Sequence, residues 1–195
     1  MAGPQVLLVV GLGNPGERYA GTRHNVGFRT ADRLLERAGG RWEAAAAGEG
    51  EAARAVVGGR EVWLAKPMTY MNESGRMAAA LARFYKIPPA SVLVVSDDID
   101  LPLGRLRIRL KGSSGGQRGL ESVLTHLGTT DVPRLRLGVG PRPAETDAAA
   151  FVLGRFRPDE REAAEALVDR AADAAESCVE KGVEAAMNLY NAAAA

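Results

Sequence analysis

His24 is one of two histidines in the chain and follows Asn14 by ten positions, in a stretch that runs Gly11-Leu12-Gly13-Asn14-Pro15-Gly16-Glu17-Arg18-Tyr19 and then Thr22-Arg23-His24-Asn25-Val26-Gly27. An imidazole titrates close to neutrality, so it can take a proton from water and give it back within one reaction cycle. It does so best when a carboxylate on its other nitrogen fixes the tautomer and stabilises the imidazolium. Asp97 is the carboxylate in the right kind of place, directly after the apolar run Val92 to Val95. Open α/β sheets put their ligand crevices at such strand ends. A third polar group, Asn72, lies in Lys66-Pro67-Met68-Thr69-Tyr70-Met71-Asn72-Glu73-Ser74-Gly75. Its amide can donate to a developing oxyanion or hold an attacking water, with Tyr70 and Met71 as an apolar wall. The same residue can equally cap the helix that follows.

Other chemistries have to be weighed against this one. Gly11 to Gly16 satisfies the spelling of a dinucleotide fingerprint, but that motif needs a helix opening at its third glycine and an acid about twenty residues on. Pro15 and the polar Glu17-Arg18-Tyr19 delay a helix, and no strand ends in an acid at that distance. Asp97-Asp98-Ile99-Asp100 offers carboxylates to a hard cation. In an extended segment, however, Asp97 and Asp98 point to opposite sides, which favours the histidine-orienting role. Lys111-Gly112-Ser113-Ser114-Gly115-Gly116-Gln117-Arg118-Gly119-Leu120 lacks the Gly-Lys-Ser/Thr ending of a nucleotide P-loop, yet a glycine-rich loop that opens a helix can bind phosphate or cover a cleft.

The elements that must position these groups follow from periodicity. Buried strands are predicted at Gln5 to Val10 and Val92 to Val95, and helices at Arg29 to Ala38, Asn72 to Tyr85, Asp159 to Lys181 and onward through Tyr190. Glu51 to Val57 and Arg60 to Ala65, joined by Gly58-Gly59, read as a hairpin. Leu106 to Leu110 alternates apolar with basic residues, so Arg107, Arg109 and Lys111 share one wet face; Arg134 and Arg136 share a face of the strand Arg134 to Val139. Strands and helices alternate along the chain, which predicts a three-layer α/β/α sandwich around a mixed, mostly parallel sheet.

Length and composition agree with that fold. With 195 residues, 46% of them hydrophobic, one domain spanning 1–195 is expected. The absence of any run of about 18 apolar residues and of a secretory leader points to a cytoplasmic protein. The lone Cys178 sits on an apolar helical stripe with Leu167, Ala171, Ala174 and Ala175 and reads as packing; one cysteine and two distant histidines do not make a zinc site. The net charge of +1 hides an asymmetry. Gly104 to Gly140 carries seven Lys or Arg against two acids, whereas Pro158 to Glu184 carries nine acids against three basic residues. The acidic stretch fits a solvated helix face, and the basic one fits a polyanionic partner.

Taken together, the blocks around Asn14, His24, Lys66 to Gly75, Asp97 to Pro102 and Arg134 to Gly140 resemble those of bacterial peptidyl-tRNA hydrolases, from about Val6 to Phe156. The resemblance implies a monomeric esterase, needing neither metal nor cofactor, that frees tRNA and peptide from peptidyl-tRNA left by stalled or abortive translation. It implies His24 as base, Asp97 as its support, Asn14 and Asn72 as groups that position the peptide end and the water, and Tyr19, Tyr70 and Met71 as lining. Arg109 and Arg136 would hold the tRNA 5′ phosphate, with Gly115 and Arg118 of the glycine-rich loop as further substrate-binding positions. The loop departs from the family's usual Gly-His-Asn-Gly in reading Gly116-Gln117-Arg118-Gly119, and Ser96 stands where histidine is frequent. A non-catalytic RNA-binding relative is the competing reading, since it would keep the fold and the basic face but has no need of His24, Asp97, Asn14 and Asn72 together.

Overall fold

A computed structural model describes residues 3–192. In chain order, β1 (Leu8–Gly11) leads through the short α1 (Glu17–Ala20) and a 3-10 turn at Arg23–Asn25 into α2 (Val26–Arg37). Next come β2 (Glu43–Ala44), β3 (Gly50–Val57), β4 (Arg60–Pro67), a 3-10 turn at Met71–Glu73 and α3 (Ser74–Phe84). The second half runs β5 (Val92–Pro102), β6 (Leu106–Arg109), α4 (Arg118–Leu127), β7 (Arg134–Gly140), α5 (Ala148–Leu153), α6 (Arg161–Lys181) and α7 (Val183–Ala192). The strands form one sheet in the order β2-β3-β4-β1-β5-β7-β6. Its centre, β4-β1-β5-β7, is parallel, and antiparallel strands flank it on both sides.

Alternation along the central strands feeds two cores. Val9, Leu93, Val95, Leu135 and Leu137 face α2, α6 and α7, whereas Leu8, Val10, Val92 and Val94 face α3 and α4. This is the three-layer sandwich that the element pattern predicts. Cys178 is buried in the first core, where loss of hydration pushes its thiol up to about 12 and leaves it unreactive at neutral pH.

The glycines of the β1 turn serve packing rather than a pyrophosphate. A Cβ on Gly11 would lie 2.3 Å from the Gly27 carbonyl oxygen, and one on Gly13 would lie 2.6 Å from the Phe28 ring. Backbone therefore meets backbone where α2 crosses β1, and the Phe28 amide donates to the Leu12 carbonyl at 3.1 Å. That contact starts α2 at Val26, three residues ahead of the helix read from apolar spacing.

β1 starts at Leu8 rather than Gln5, and three further differences from the sequence reading each have a physical reason. β5 runs eleven residues. Its apolar half pairs with β1, but its polar half stays extended on β7 alone, through Asp97 opposite Leu137 and Asp98 opposite Gly138. α3 begins at Ser74 behind a 3-10 turn that contains Asn72, and Glu73 at its N-cap makes no side-chain capping bond, so Asn72 is not a helix cap. α5 was not expected at all. Asp147 caps it by accepting from the Ala150 amide at 3.0 Å.

β6 lies at the sheet edge, yet its backbone is not left open. The Asn191 side chain on α7 accepts from the Ile108 amide at 2.9 Å and donates to the Ile108 carbonyl at 3.0 Å, taking the place of a neighbouring strand.

Candidate active site

β1 ends opposite Val95, so β5 continues past it and carries Asp97 into the notch above the end of β1. The turn at Arg23–Asn25 enters the same notch from the α2 side. There the Nδ1 atom of His24 lies 2.9 Å from each carboxylate oxygen of Asp97, with the two side chains 12% and 2% exposed. An ionised carboxylate only accepts, so the tautomer that pairs with it carries its hydrogen on Nδ1 and leaves the Nε2 lone pair as the base.

Both neighbours of His24 are pinned. Asn25 accepts from the Asn14 amide and donates to the Asn14 carbonyl, both at 2.9 Å. Arg23 is buried between the rings of Phe151 and Phe156, 4.7 and 4.8 Å from their centroids, and pairs with Glu160 at 2.6 Å. The histidine therefore sits on a rigid turn with one face open. Arg23 also ties that turn to α5, whose Ala148, Ala149 and Val152 form one wall of a cleft of about 380 Å³.

His24, Ser96, Asp97, Asp98, Gly115, Gln117, Arg118 and Arg136 line the rest of this cleft. The structure thus brings His24 and Asp97 together with Gly115, Arg118 and Arg136 of the expected set. Asn14 and Met71 stand behind it: the Asn14 Oδ1 accepts from the Met71 amide at 2.7 Å, which fixes the side-chain amide and leaves its NH2 without an acceptor among the described residues. Tyr19, Tyr70 and Asn72 do not line the cleft. Tyr19 is half-buried under Arg18, Tyr70 is 63% exposed, and the exposed Asn72, one residue after Met71, has no hydrogen-bond partner for its amide among the described residues.

Asp97 and Asp98 do point apart. Asp98 turns to the Arg136 guanidinium at 2.7 Å and accepts from the Asp100 amide at 2.9 Å, while Asp97 turns to His24. β6 and β7 set Arg107 opposite Arg136 and Arg109 opposite Arg134, so four arginines share one face. They are not equivalent. Arg134 is buried and donates to the Gly112, Ser113 and Val132 carbonyls at 2.8 to 2.9 Å, which anchors the glycine-rich loop. Burial, and secondly the charge of Arg136, lowers its pKa to about 10. Arg107 and Arg109 are exposed and have no carboxylate partner among the described residues.

Two groups that matter here were not assigned a role from sequence. Gln117 caps α4 by accepting from the Leu120 amide at 2.7 Å, and its Nε2 donates to Asp97 Oδ1 at 2.9 Å and to Met71 Sδ at 3.3 Å. Its position three residues before Leu120 was the available signal. Arg23 gives no such signal, because an arginine beside a histidine reads as surface until Phe151 and Phe156 are seen to enclose it.

The comparisons with known proteins fit this geometry. A family model described as peptidyl-tRNA hydrolase matches residues 8–195. The chain belongs to the peptidyl-tRNA hydrolase family. Curated members from Chloroflexus aurantiacus and Mycobacterium tuberculosis are 52% and 48% identical, covering 94% and 95% of this chain and 98% and 97% of theirs. A crystal structure of peptidyl-tRNA hydrolase from Acinetobacter baumannii superposes with a TM-score of 0.87 at 34% identity, covering 96% of this chain and 95% of that one. The α/β/α sandwich of this chain is therefore the peptidyl-tRNA hydrolase fold.

Proposed function

We propose that His24 is the general base with which this peptidyl-tRNA hydrolase cleaves the ester joining a nascent peptide to tRNA. The observation that supports this most directly is the 2.9 Å contact of His24 with both Asp97 oxygens at the floor of an open cleft. In this mechanism the Nε2 atom takes a proton from water as the oxygen attacks the ester carbonyl, and Asp97 stabilises the imidazolium. The Asn14 and Asn72 amides donate to the peptide end and to the developing oxyanion. Collapse of the tetrahedral intermediate breaks the bond to the ribose oxygen, which leaves with the proton from His24. A ribose hydroxyl is a better leaving group than an amine, so an activated water suffices without a covalent enzyme intermediate.

Binding of the RNA is assigned to the basic face. Arg109 and Arg136 grip phosphate of the acceptor stem, with Arg107, Lys111 and Arg118 adding field, and recognition rests on backbone and shape rather than base edges. The Tyr19, Tyr70 and Met71 side chains border the peptide end, and Gly115 sits where a Cβ would come within 3.2 Å of the Arg136 guanidinium. We further propose a monomer acting in the cytoplasm: every group named comes from one chain, and the substrate arises at ribosomes. Among the described residues no helix is long and apolar enough to cross a membrane.

The test is cleavage of an N-blocked aminoacyl-tRNA by the purified protein. His24→Ala is expected to lower kcat by about 10²- to 10⁴-fold while tRNA binding is retained. Equal rates for the two proteins would remove His24 from the mechanism, and tRNA binding without any turnover would favour the RNA-binding reading.

A further inference from the structure

We infer that Gln117 is a positioning residue for the catalytic pair, acting through Asp97; the inference rests on the reading of His24 as the base. A single imidazole N–H placed 2.9 Å from both Asp97 oxygens is satisfied by the carboxylate as a whole and leaves it free to rock toward either oxygen. A second donor on one oxygen removes that freedom. Gln117 Nε2 is that donor, at 2.9 Å from Oδ1, and His24 and Gln117 are the hydrogen-bond donors to this carboxylate among the described residues.

The orientation of the Gln117 amide is itself determined. Its Oε1 accepts from the Leu120 amide at the start of α4, and its other Nε2 hydrogen meets Met71 Sδ at 3.3 Å. Turning the amide over would aim its oxygen at a carboxylate and uncap the helix. All three polar positions of the side chain are thus engaged: one holds Asp97, and the other two tie it to the start of α4 and to the turn at Met71. Met71 is held in turn by Asn14, whose backbone is bonded to Asn25, the residue after His24. The loop from Asn14, the turn at Met71, the N-terminus of α4 and the His24–Asp97 pair therefore form one closed hydrogen-bonded circuit with Gln117 as its link. Gln117 belongs to the glycine-rich loop that Arg134 anchors, so the RNA-binding face and the base share this connection.

Two variants separate this role from helix capping. Gln117→Leu removes the cap and the donor; Gln117→Glu keeps an oxygen for the Leu120 amide but replaces the Nε2 that serves Asp97 and Met71 with a carboxylate oxygen facing Asp97. Both are expected to lower kcat about tenfold or more with KM within about twofold, because the base is misaimed while substrate contacts persist. In ¹⁵N spectra of the uncomplexed protein, both variants should reduce the Nδ1–H form of His24, with His126, the other histidine, as unmoved internal reference. Wild-type kcat and an unchanged His24 signal in Gln117→Glu would overturn the inference and leave Gln117 as a cap. A rise in KM with kcat preserved would also overturn it, by making Gln117 a substrate contact. The spectra read the His24–Asp97 geometry directly, so they decide the matter even if the wild type proves unable to cleave the ester.

Discussion

Arginines are set out in regular rows in two regions of this molecule, and the rows have opposite partners. On α2, Arg29, Arg33 and Arg37 recur at one-turn spacing and face Glu165, Asp169, Asp173 and Glu176 on α6. On β6, Arg107 and Arg109 recur at strand spacing and face Arg136 and Arg134 on β7. Like charges directly opposite one another in a sheet are destabilising. Asp98 relieves Arg136 and loop carbonyls occupy Arg134, but nothing in the described chain answers the outer two. The helical row is architecture, completed from within. On the proposed reading the strand row is left for an external anion, which is the physical content of assigning RNA to that face. The acidic stretch of α6 is a solvated face, as read from sequence, and four of its carboxylates also pair with α2.

Substitutions can break this contrast or sharpen it. The largest effect is expected from Arg109→Ala, with KM raised about tenfold through loss of one charge-assisted phosphate contact and the log-log salt slope reduced by about 0.7 to 0.9. Its thermal midpoint should be unchanged or slightly higher, since a like-charge pair with Arg134 is removed, and a fall in stability would show the strand row to be structural after all. Arg33→Ala should do the reverse: about 1 kcal/mol of stability lost, a midpoint about 2–4 °C lower by calorimetry, and KM unaltered. A shift in KM there would erase the distinction. The smallest effect concerns Arg23 and Glu160. Burial works to raise the Glu160 pKa, but the Arg157 backbone hydrogen bond and the Arg23 guanidinium outweigh it and hold the group below its ordinary value of 4.5. The stability so gained is fully present above pH 4.5 and is lost as the pH falls through the lower folded value. Acid titration of urea midpoints should show this slope in the wild type and a flatter one in Glu160→Gln; identical slopes would refute the linkage.

How much of this is visible in sequence depends on whether a signal is local. The parallel strands, the long amphipathic α6 and the hairpin β3–β4 are written in apolar periodicity and turn residues, and each is present, with β1 starting later and β5 ending later than that reading puts them. Asp97 was legible as a strand-end carboxylate, although the strand runs on beyond it, because β7 supplies hydrogen bonds that polar side chains do not advertise. His24 and Asn14 stood out through residue type and spacing. Gln117 and Arg23 did not, since their partners lie 20 and 137 positions away in the chain and become neighbours only on folding. α5 was masked by the preceding Pro141-Arg142-Pro143 and by an alanine run that carries no amphipathic pattern.

Asn191 has a consequence for self-association. A row of unpaired amides and carbonyls at a sheet margin is a template onto which another chain can add a strand. Here one side-chain amide on the last described helix blocks that template at Ile108, and the adjacent arginines repel a second copy. Shortening the chain ahead of Asn191 would remove the block and leave the repulsion, giving a protein that stays dispersed at low ionic strength and begins to form intermolecular sheet as salt screens its charge.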